Sequence, residues 1–296
     1  MKTSRSRLQN DGIPFALPDG MTAVCLDRSR RGGAKHGIFL IESSGKKWLI
    51  KHYDHKRGQP QRLLTNLDNY LGGRSGSSPR RRFHTEKNAL KIWRENGFDV
   101  FREPDDPPPF GIDAPHLVFE YVSGQTLKQY FLDRKIPKAD KLGVFKRFIP
   151  EWARRHFLAY TNGDRYLIQE HPTFQHVYMS AEDQRFIFYD FEIVYSHRHR
   201  LPDLIGREIA GYIRSLPPEE LDDYLHILIR EYPHPEFLYY PFKYFFRHPN
   251  LLLRLLYALD RQTRRSRRPK SKYNIAIRIH DHLRKTTTPN INLEGP

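Results

Sequence analysis

Phe186-Ile-Phe-Tyr-Asp190-Phe-Glu192 is the stretch that decides how this chain is read. An apolar, aromatic strand runs into a carboxylate. Asp after a strand is by itself an ordinary turn former or helix cap, so the meaning of Asp190 depends on what precedes it. Upstream, in order, stand a Gly-rich basic turn (Arg31-Gly-Gly-Ala-Lys-His-Gly37), an apolar strand ending in a lysine (Trp48-Leu-Ile-Lys51), a helix carrying Glu86, and the run His116-Leu-Val-Phe-Glu-Tyr-Val122.

The 296 residues suffice for one two-lobed domain or two ordinary ones. A hydrophobic content of 38%, with 13% aromatic, argues for a folded chain. No apolar run approaches the roughly 18 residues of a membrane span, and the polar, basic N-terminus lacks the apolar centre of a secretory signal. The single cysteine, Cys25, has no disulfide partner in the chain, which fits a reducing compartment. These features place the protein in the cytoplasm. Its net charge of +16 creates a long-range field that favours polyanions. The cations concentrate in Arg28–Arg31, Arg74–Arg82, Arg198–Arg200 and Arg261–Lys270.

Residues 1–21 are polar and interrupted by Pro14 and Pro18, and read as a loose N-terminal segment. From Thr22 to His52 the pattern is three strands joined by two turns, the second a tight hairpin at Ser43-Ser-Gly45. A Gly/Ser/Arg-rich stretch over about 56–82, with a short helix near Gln61–Tyr70, reads as a mobile insertion. A helix is expected from Phe83 to Asn96, ended by Gly97. Pro104–Pro115 forces an extended crossing to the strand His116–Glu120, and Ser123-Gly124 turns into a helix near Thr126. A helix over Lys141–Thr161 contains Pro150, which should kink or split it. The strands Val177–Ser180 and Arg185–Asp190 flank a turn at Glu182-Asp183. Helices are then expected at Asp203–Leu216, Glu219–Tyr232, Tyr239–Arg247, Pro249–Arg261 and Tyr273–Arg284. The expected division is a sheet-based lobe over 22–122, a helical lobe over 123–260 and a basic tail over 261–296.

This order of elements resembles the protein-kinase-like superfamily, and within it the bacterial lipopolysaccharide core kinases that phosphorylate Kdo or heptose, with RIO-like kinases next. The resemblance spans about residues 22–215. It implies an α+β, bilobal fold with a small antiparallel-sheet N-lobe, one main N-lobe helix and a larger helical C-lobe. It also implies ATP and Mg²⁺ as cofactors. Gly32, Gly33 and Lys35 would lie over the phosphates, Lys51 would hold them, Glu86 would orient Lys51, and Glu120 and Val122 would be hinge contacts to the nucleotide. Asp190 would bind the metal. Gln169-Glu170-His171-Pro-Thr-Phe-Gln-His176 aligns with the catalytic loop, placing His176 on the metal side and His171 where the family has its Asp base.

Two departures stand out. His171 can serve as a base near neutral pH but does not supply a carboxylate's charge, and Glu170 is a substitute carboxylate one residue away. Glu192 stands where protein kinases carry Gly. An alternative register makes Asp164 the catalytic Asp, and a zinc site on His171 and His176 lacks the spacing of the helix-borne zinc pairs. The aromatic, apolar and cationic run Phe237–Tyr257, leading into the Arg/Lys cluster, suits an anionic membrane interface. The implied function is phosphorylation of a sugar hydroxyl on lipopolysaccharide or another anionic glycolipid by a protein peripheral on the inner membrane. The alternative is a pseudokinase that binds nucleotide or regulates without transfer. Nucleic acid is disfavoured because no RNA-binding motif is evident.

Overall fold

A computed structural model of the chain describes residues 21–28, 36–53, 69, 73–76, 78–107, 110–196, 199–263 and 268–286. The Gly-rich turn with Gly32, Gly33 and Lys35 lies outside the described residues, as does the short helix expected near Gln61–Tyr70 apart from Asn69. The chain divides into two compact units. One comprises Met1–Gly124 and Ser180–Val194, the other Gln125–Met179 and Tyr195–Pro296.

The first unit holds a four-stranded antiparallel sheet of β1 (Thr22–Arg28), β2 (His36–Ser43), β3 (Lys46–Tyr53) and β4 (His116–Glu120), in that order. Side chains alternate between its faces. Phe39, Ile41, Ile50, Ala23 and Val118 form an apolar cluster, with Trp48, Phe110, Ile112 and the half-buried Cys25 against it. The opposite parity puts Lys51 and Tyr53 together on the other face.

Helix α1 spans Pro79–Glu95, one turn earlier than the expected start at Phe83. Ser78 accepts from the Arg81 N–H as N-cap, and Pro79 occupies the first turn, where its missing N–H costs nothing. The Arg-rich end of the expected mobile insertion is therefore helix, and Ser75 anchors the segment before it through hydrogen bonds with the Val194 backbone. Gly97, at φ +72°, follows the C-cap. The buried residues Arg82, Glu86, Ala89, Leu90 and Trp93 fall on one helical stripe.

The chain leaves this unit through β5 (Gly124–Thr126) and returns to it at the end of β6 (Val177–Ser180). A tight turn between Ser180 and Arg185 leads into β7 (Phe186–Phe188). Phe188 bridges Val100, and its ring packs on Trp93 with that of Phe191.

The second unit is helical. Helix α2 (Leu127–Leu132) begins in a capping box of Thr126 and Gln129, and α3 runs unbroken over Lys138–Asn162. The expected split at Pro150 does not occur. Pro150 is exposed, so the Lys146 carbonyl it leaves without an i+4 donor is on the solvent side, while Phe145, Phe148 and Trp152 bury the other face. Next come α4 (Leu201–Arg214), α5 (Leu221–Glu231), α6 (Tyr240–Phe246), α7 (Leu251–Arg261) and α8 (Lys272–Thr286). The helix expected at Tyr239–Arg247 is preceded by a 3-10 turn, Pro235–Tyr239, and Pro241 lies in the first turn of α6. Helix α8 lies within the segment expected as a basic tail, yet it buries Tyr273, Ile275, Ala276, Ile279 and Leu283.

A buried polar network joins α3, α4 and Tyr232. Arg155 pairs with Glu208, whose Oε2 lies 3.1 Å from His156 Nε2, and His156 Nδ1 lies 2.6 Å from the Tyr232 hydroxyl. A neutral imidazole satisfies both contacts by donating to Glu208 and accepting from Tyr232. Burial lowers His156 below its ordinary value. Burial would raise Glu208, but Arg155 and His156 outweigh it and hold the carboxyl low.

Two predictions follow from this packing. At Gly206 on α4 an added Cβ would come within 2.6 Å of the Tyr240 carbonyl oxygen and 2.7 Å of Pro241 N, so Gly206→Ala should lower stability by about 1–3 kcal/mol in urea melts. For pH, both folded values lie below the unfolded ones, so the unfolded chain binds more protons. Stability should fall as pH drops below 6.5 through His156, and again below 4.5 through Glu208. His156→Gln should remove the upper part of that slope and leave the lower.

Candidate functional site

Lys51 lies on β3, flanked by β2 and β4, and is buried. An ammonium in such a place must be paired. Its Nζ is 3.0 and 2.8 Å from the two carboxylate oxygens of Glu86, 2.8 Å from Asp190 Oδ1 and 3.0 Å from Glu192 Oε1. Burial would lower Lys51, but Asp190, Glu192 and Glu86 together hold it well above its ordinary value, so it stays charged through the physiological range. The Tyr53 hydroxyl, on the same face, donates to Glu86. Burial and the Glu86 carboxylate push that phenol up. Glu86 is itself raised by burial, against the pull of Lys51.

Asp190 reaches Lys51 because its backbone is left-handed, at φ +71°. Asp tolerates that region better than most residues, and the conformation costs about 1–3 kcal/mol that the surroundings must supply. They do so through Phe191, which is buried with its ring 4.5 Å from that of Trp93. The turn thus sends the carboxylate to Lys51 and the next ring onto α1. Glu192 follows, and Arg82 Nε donates to its Oε2 at 2.6 Å. One face of α1 therefore holds Lys51 through Glu86, Glu192 through Arg82 and Phe191 through Trp93.

The sequence-based reading brought forward Lys51, Glu86 and Asp190, and these three are brought together. It treated Glu192 only as a departure and missed Arg82 and Tyr53. The spacing from Arg82 to Glu86 is i,i+4, which puts both on one helix face, and Tyr53 follows Lys51 by two on a strand. Glu120 ends β4, where its N–H donates to the Arg102 carbonyl at 2.9 Å, and Val122 lies two residues further on. Among the described residues, Glu86, Asp190 and Glu192 offer oxygens within 4.8 Å of one another, the donor type that Mg²⁺ takes. Asp190 is the most exposed of the three.

The second unit carries Glu170, His171 and His176. Glu170 is buried, and its Oε2 lies 2.7 Å from Nδ1 of the exposed His171 while Arg207 approaches its other oxygen at 3.6 Å. Glu170 is thus directed at His171 rather than at solvent, and its charge favours a proton on the nearby Nδ1. His176 Nδ1 is 2.8 Å from the His171 carbonyl, which can only accept, so Nε2 is again the lone-pair nitrogen. Helix α4 approaches this loop at Gly211, where a Cβ would stand 2.8 Å from the Pro172 carbonyl oxygen. The Asp164 carboxylate caps the 3-10 turn Arg165–Leu167 by accepting from the Tyr166 N–H at 2.8 Å.

With its antiparallel sheet, the Lys51–Glu86 pair between β3 and α1 and its helical second unit, the chain has an α+β, protein-kinase-like fold. No family model and no curated protein matches the sequence. Solved structures similar to it include the PknI kinase domain of Mycobacterium tuberculosis, at 16% identity over 91% of this chain and 97% of that one, with a TM-score of 0.36. The kinase domain of maize SIRK1 (sucrose-induced receptor kinase 1) bound to AMP-PNP is 12% identical over 77% and 93%, with a TM-score of 0.38. Both overlaps are loose.

The Arg82–Glu192 pair is directly testable. Arg82→Met leaves Glu192 buried without its Arg82 partner, and should cost about 3 kcal/mol in urea melts. Arg82→Met combined with Glu192→Gly should cost less than the sum of the single changes, giving a coupling energy of about 1 kcal/mol or more.

Proposed function

We propose that this protein is an ATP-dependent phosphotransferase that phosphorylates a sugar hydroxyl of the lipopolysaccharide-core type at the inner face of the cytoplasmic membrane. The observation that carries the reading is a buried, permanently charged Lys51 held by Glu86 and in contact with Asp190. A buried ammonium is a fixed counter-charge for phosphate oxygens, and Glu86 keeps it aimed when Asp190 turns to another partner. Asp190, with Glu192 beside it, would hold Mg²⁺. That ion, when bound, neutralises charge on the transferring phosphoryl group.

His171 acts as the base. The Glu170 charge beside Nδ1 favours the proton there, so Nε2 takes the proton of the acceptor hydroxyl as the new O–P bond forms and the bond to the β-phosphate's bridging oxygen breaks, releasing ADP. His176 is the metal-side residue that the resemblance to lipopolysaccharide kinases implies. The net charge of +16 favours an anionic acceptor of that kind.

The test is a thermal-shift titration with AMP-PNP, with and without Mg²⁺, on the wild type, Lys51→Ala, Asp190→Ala and His171→Ala. At a hundredfold excess over Kd the wild type should gain about 2.7 kcal/mol. Lys51→Ala and Asp190→Ala should lose the Mg²⁺-dependent gain. His171→Ala should keep it, yet lower phosphate transfer from ATP to dephosphorylated lipopolysaccharide core sugar by at least about a hundredfold. No Mg²⁺-dependent shift at saturating AMP-PNP overturns the proposal.

A further inference from the structure

Helix α7, Asn250-Leu-Leu-Leu-Arg-Leu-Leu-Tyr-Ala-Leu-Asp-Arg261, is capped by the Asn250 side chain and contains no buried residue. Leu251, Leu252, Leu255, Leu256 and Leu259 are 49–67% exposed. At 3.6 residues per turn these five fall within an arc of about 140°. The opposite side of the helix makes the contacts with its own unit. Tyr257 donates to the Tyr244 hydroxyl at 2.8 Å and packs on Phe245. Arg261 donates to the Phe245 carbonyl at 3.0 Å and lies 4.6 Å from the Phe246 ring. The leucines therefore point directly away from the body that carries them, as one continuous apolar strip rather than as scattered surface residues.

The charge of the sequence on either side of this strip selects what covers it. Between Glu236 and Lys272 the sequence holds ten Lys or Arg and two Asp or Glu. Arg254 is exposed on α7 itself, beside the strip. A second copy would bring the same cations against these, and like charges facing each other oppose association. An anionic bilayer answers both properties at once, taking leucines into the boundary between headgroups and acyl chains and pairing the flanking cations with lipid phosphates. Eleven residues are too few to span a bilayer, and none of the described helices is long and apolar enough to do so.

We propose that α7 is an in-plane membrane-docking helix, inserting Leu251, Leu252, Leu255, Leu256 and Leu259 into an anionic lipid surface. This deepens the membrane location proposed above and depends on no step of phosphoryl transfer.

The experiment is co-sedimentation of the full chain with vesicles of phosphatidylcholine alone or with phosphatidylglycerol at 30 mol% (roughly a bacterial anionic content, within the range over which such helices respond to lipid charge). The wild type should bind the anionic vesicles and release them at high salt. Leu252→Gln with Leu256→Gln keeps the charge and alters only exposed positions, and should weaken partition by roughly tenfold or more. An unchanged thermal melt would show that the variant folds. Undiminished binding by the variant overturns the proposal, because the cations alone would then account for the attachment. A wild type that ignores vesicles but sediments as a dimer dissolved by the double substitution also overturns it, in favour of a second copy. Vesicle binding by a protein with no AMP-PNP shift supports docking while the phosphotransferase reading fails.

Discussion

The first unit depends on a buried ammonium that cannot be neutralised cheaply. Lys51 is on a flanked strand, without the freedom of a loop to reach water, so the fold has to bring carboxylates to it. Helix α1 supplies Glu86, and the turn after β7 supplies Asp190 and Glu192. Those two sources are tied to each other as well. Arg82 and Trp93, on the same stripe as Glu86, grip Glu192 and Phe191. The left-handed Asp190 accompanies that double attachment, in which successive side chains reach Lys51 and Trp93.

Glu192 changes the electrostatics of the cluster. Glu86, Asp190 and Glu192 bring three carboxyl groups to Lys51, and Arg82 holds Glu192 from the other side. Glycine at this position would leave Arg82 buried with its carboxylate gone. The acidic residue and the arginine therefore belong together, and the departure from the protein-kinase pattern at position 192 comes with a partner on α1. A divalent cation suits an all-oxygen group, and Asp190 is its most exposed member.

Much of the first unit was legible because its residues obey short-range periodicities. Strand alternation separates Lys51 from Ile50, and the strand-to-carboxylate pattern marks Asp190. What escaped was identity masked by composition. Arg82 sits at the end of a Gly/Ser/Arg-rich run, and composition argued for solvent although its i,i+4 relation to Glu86 argued for the inner face. The same bias put residues 261–296 in a basic tail even though a helix was expected at Tyr273–Arg284, and the apolar face of that helix, Tyr273, Ile275, Ala276, Ile279 and Leu283, is buried. Pro150 shows the converse: a local rule predicted a kink or a split, and no split occurs, because the proline faces solvent and the aromatic stripe across the helix keeps α3 continuous.

The two buried ionic networks differ in a way that separates a structural one from a candidate functional one. In the second unit Arg155 balances Glu208, and a neutral His156 completes the hydrogen bonds with Tyr232, so the network carries no net charge and all its members are buried. Nothing in that arrangement calls for a ligand. Around Lys51 three carboxyl groups crowd one ammonium, and Asp190 remains partly accessible. Carboxylates held this close repel one another, and a bound cation would relieve that repulsion. Among the described residues this crowding, more than any motif, sets the Lys51 cluster apart from the Arg155 network.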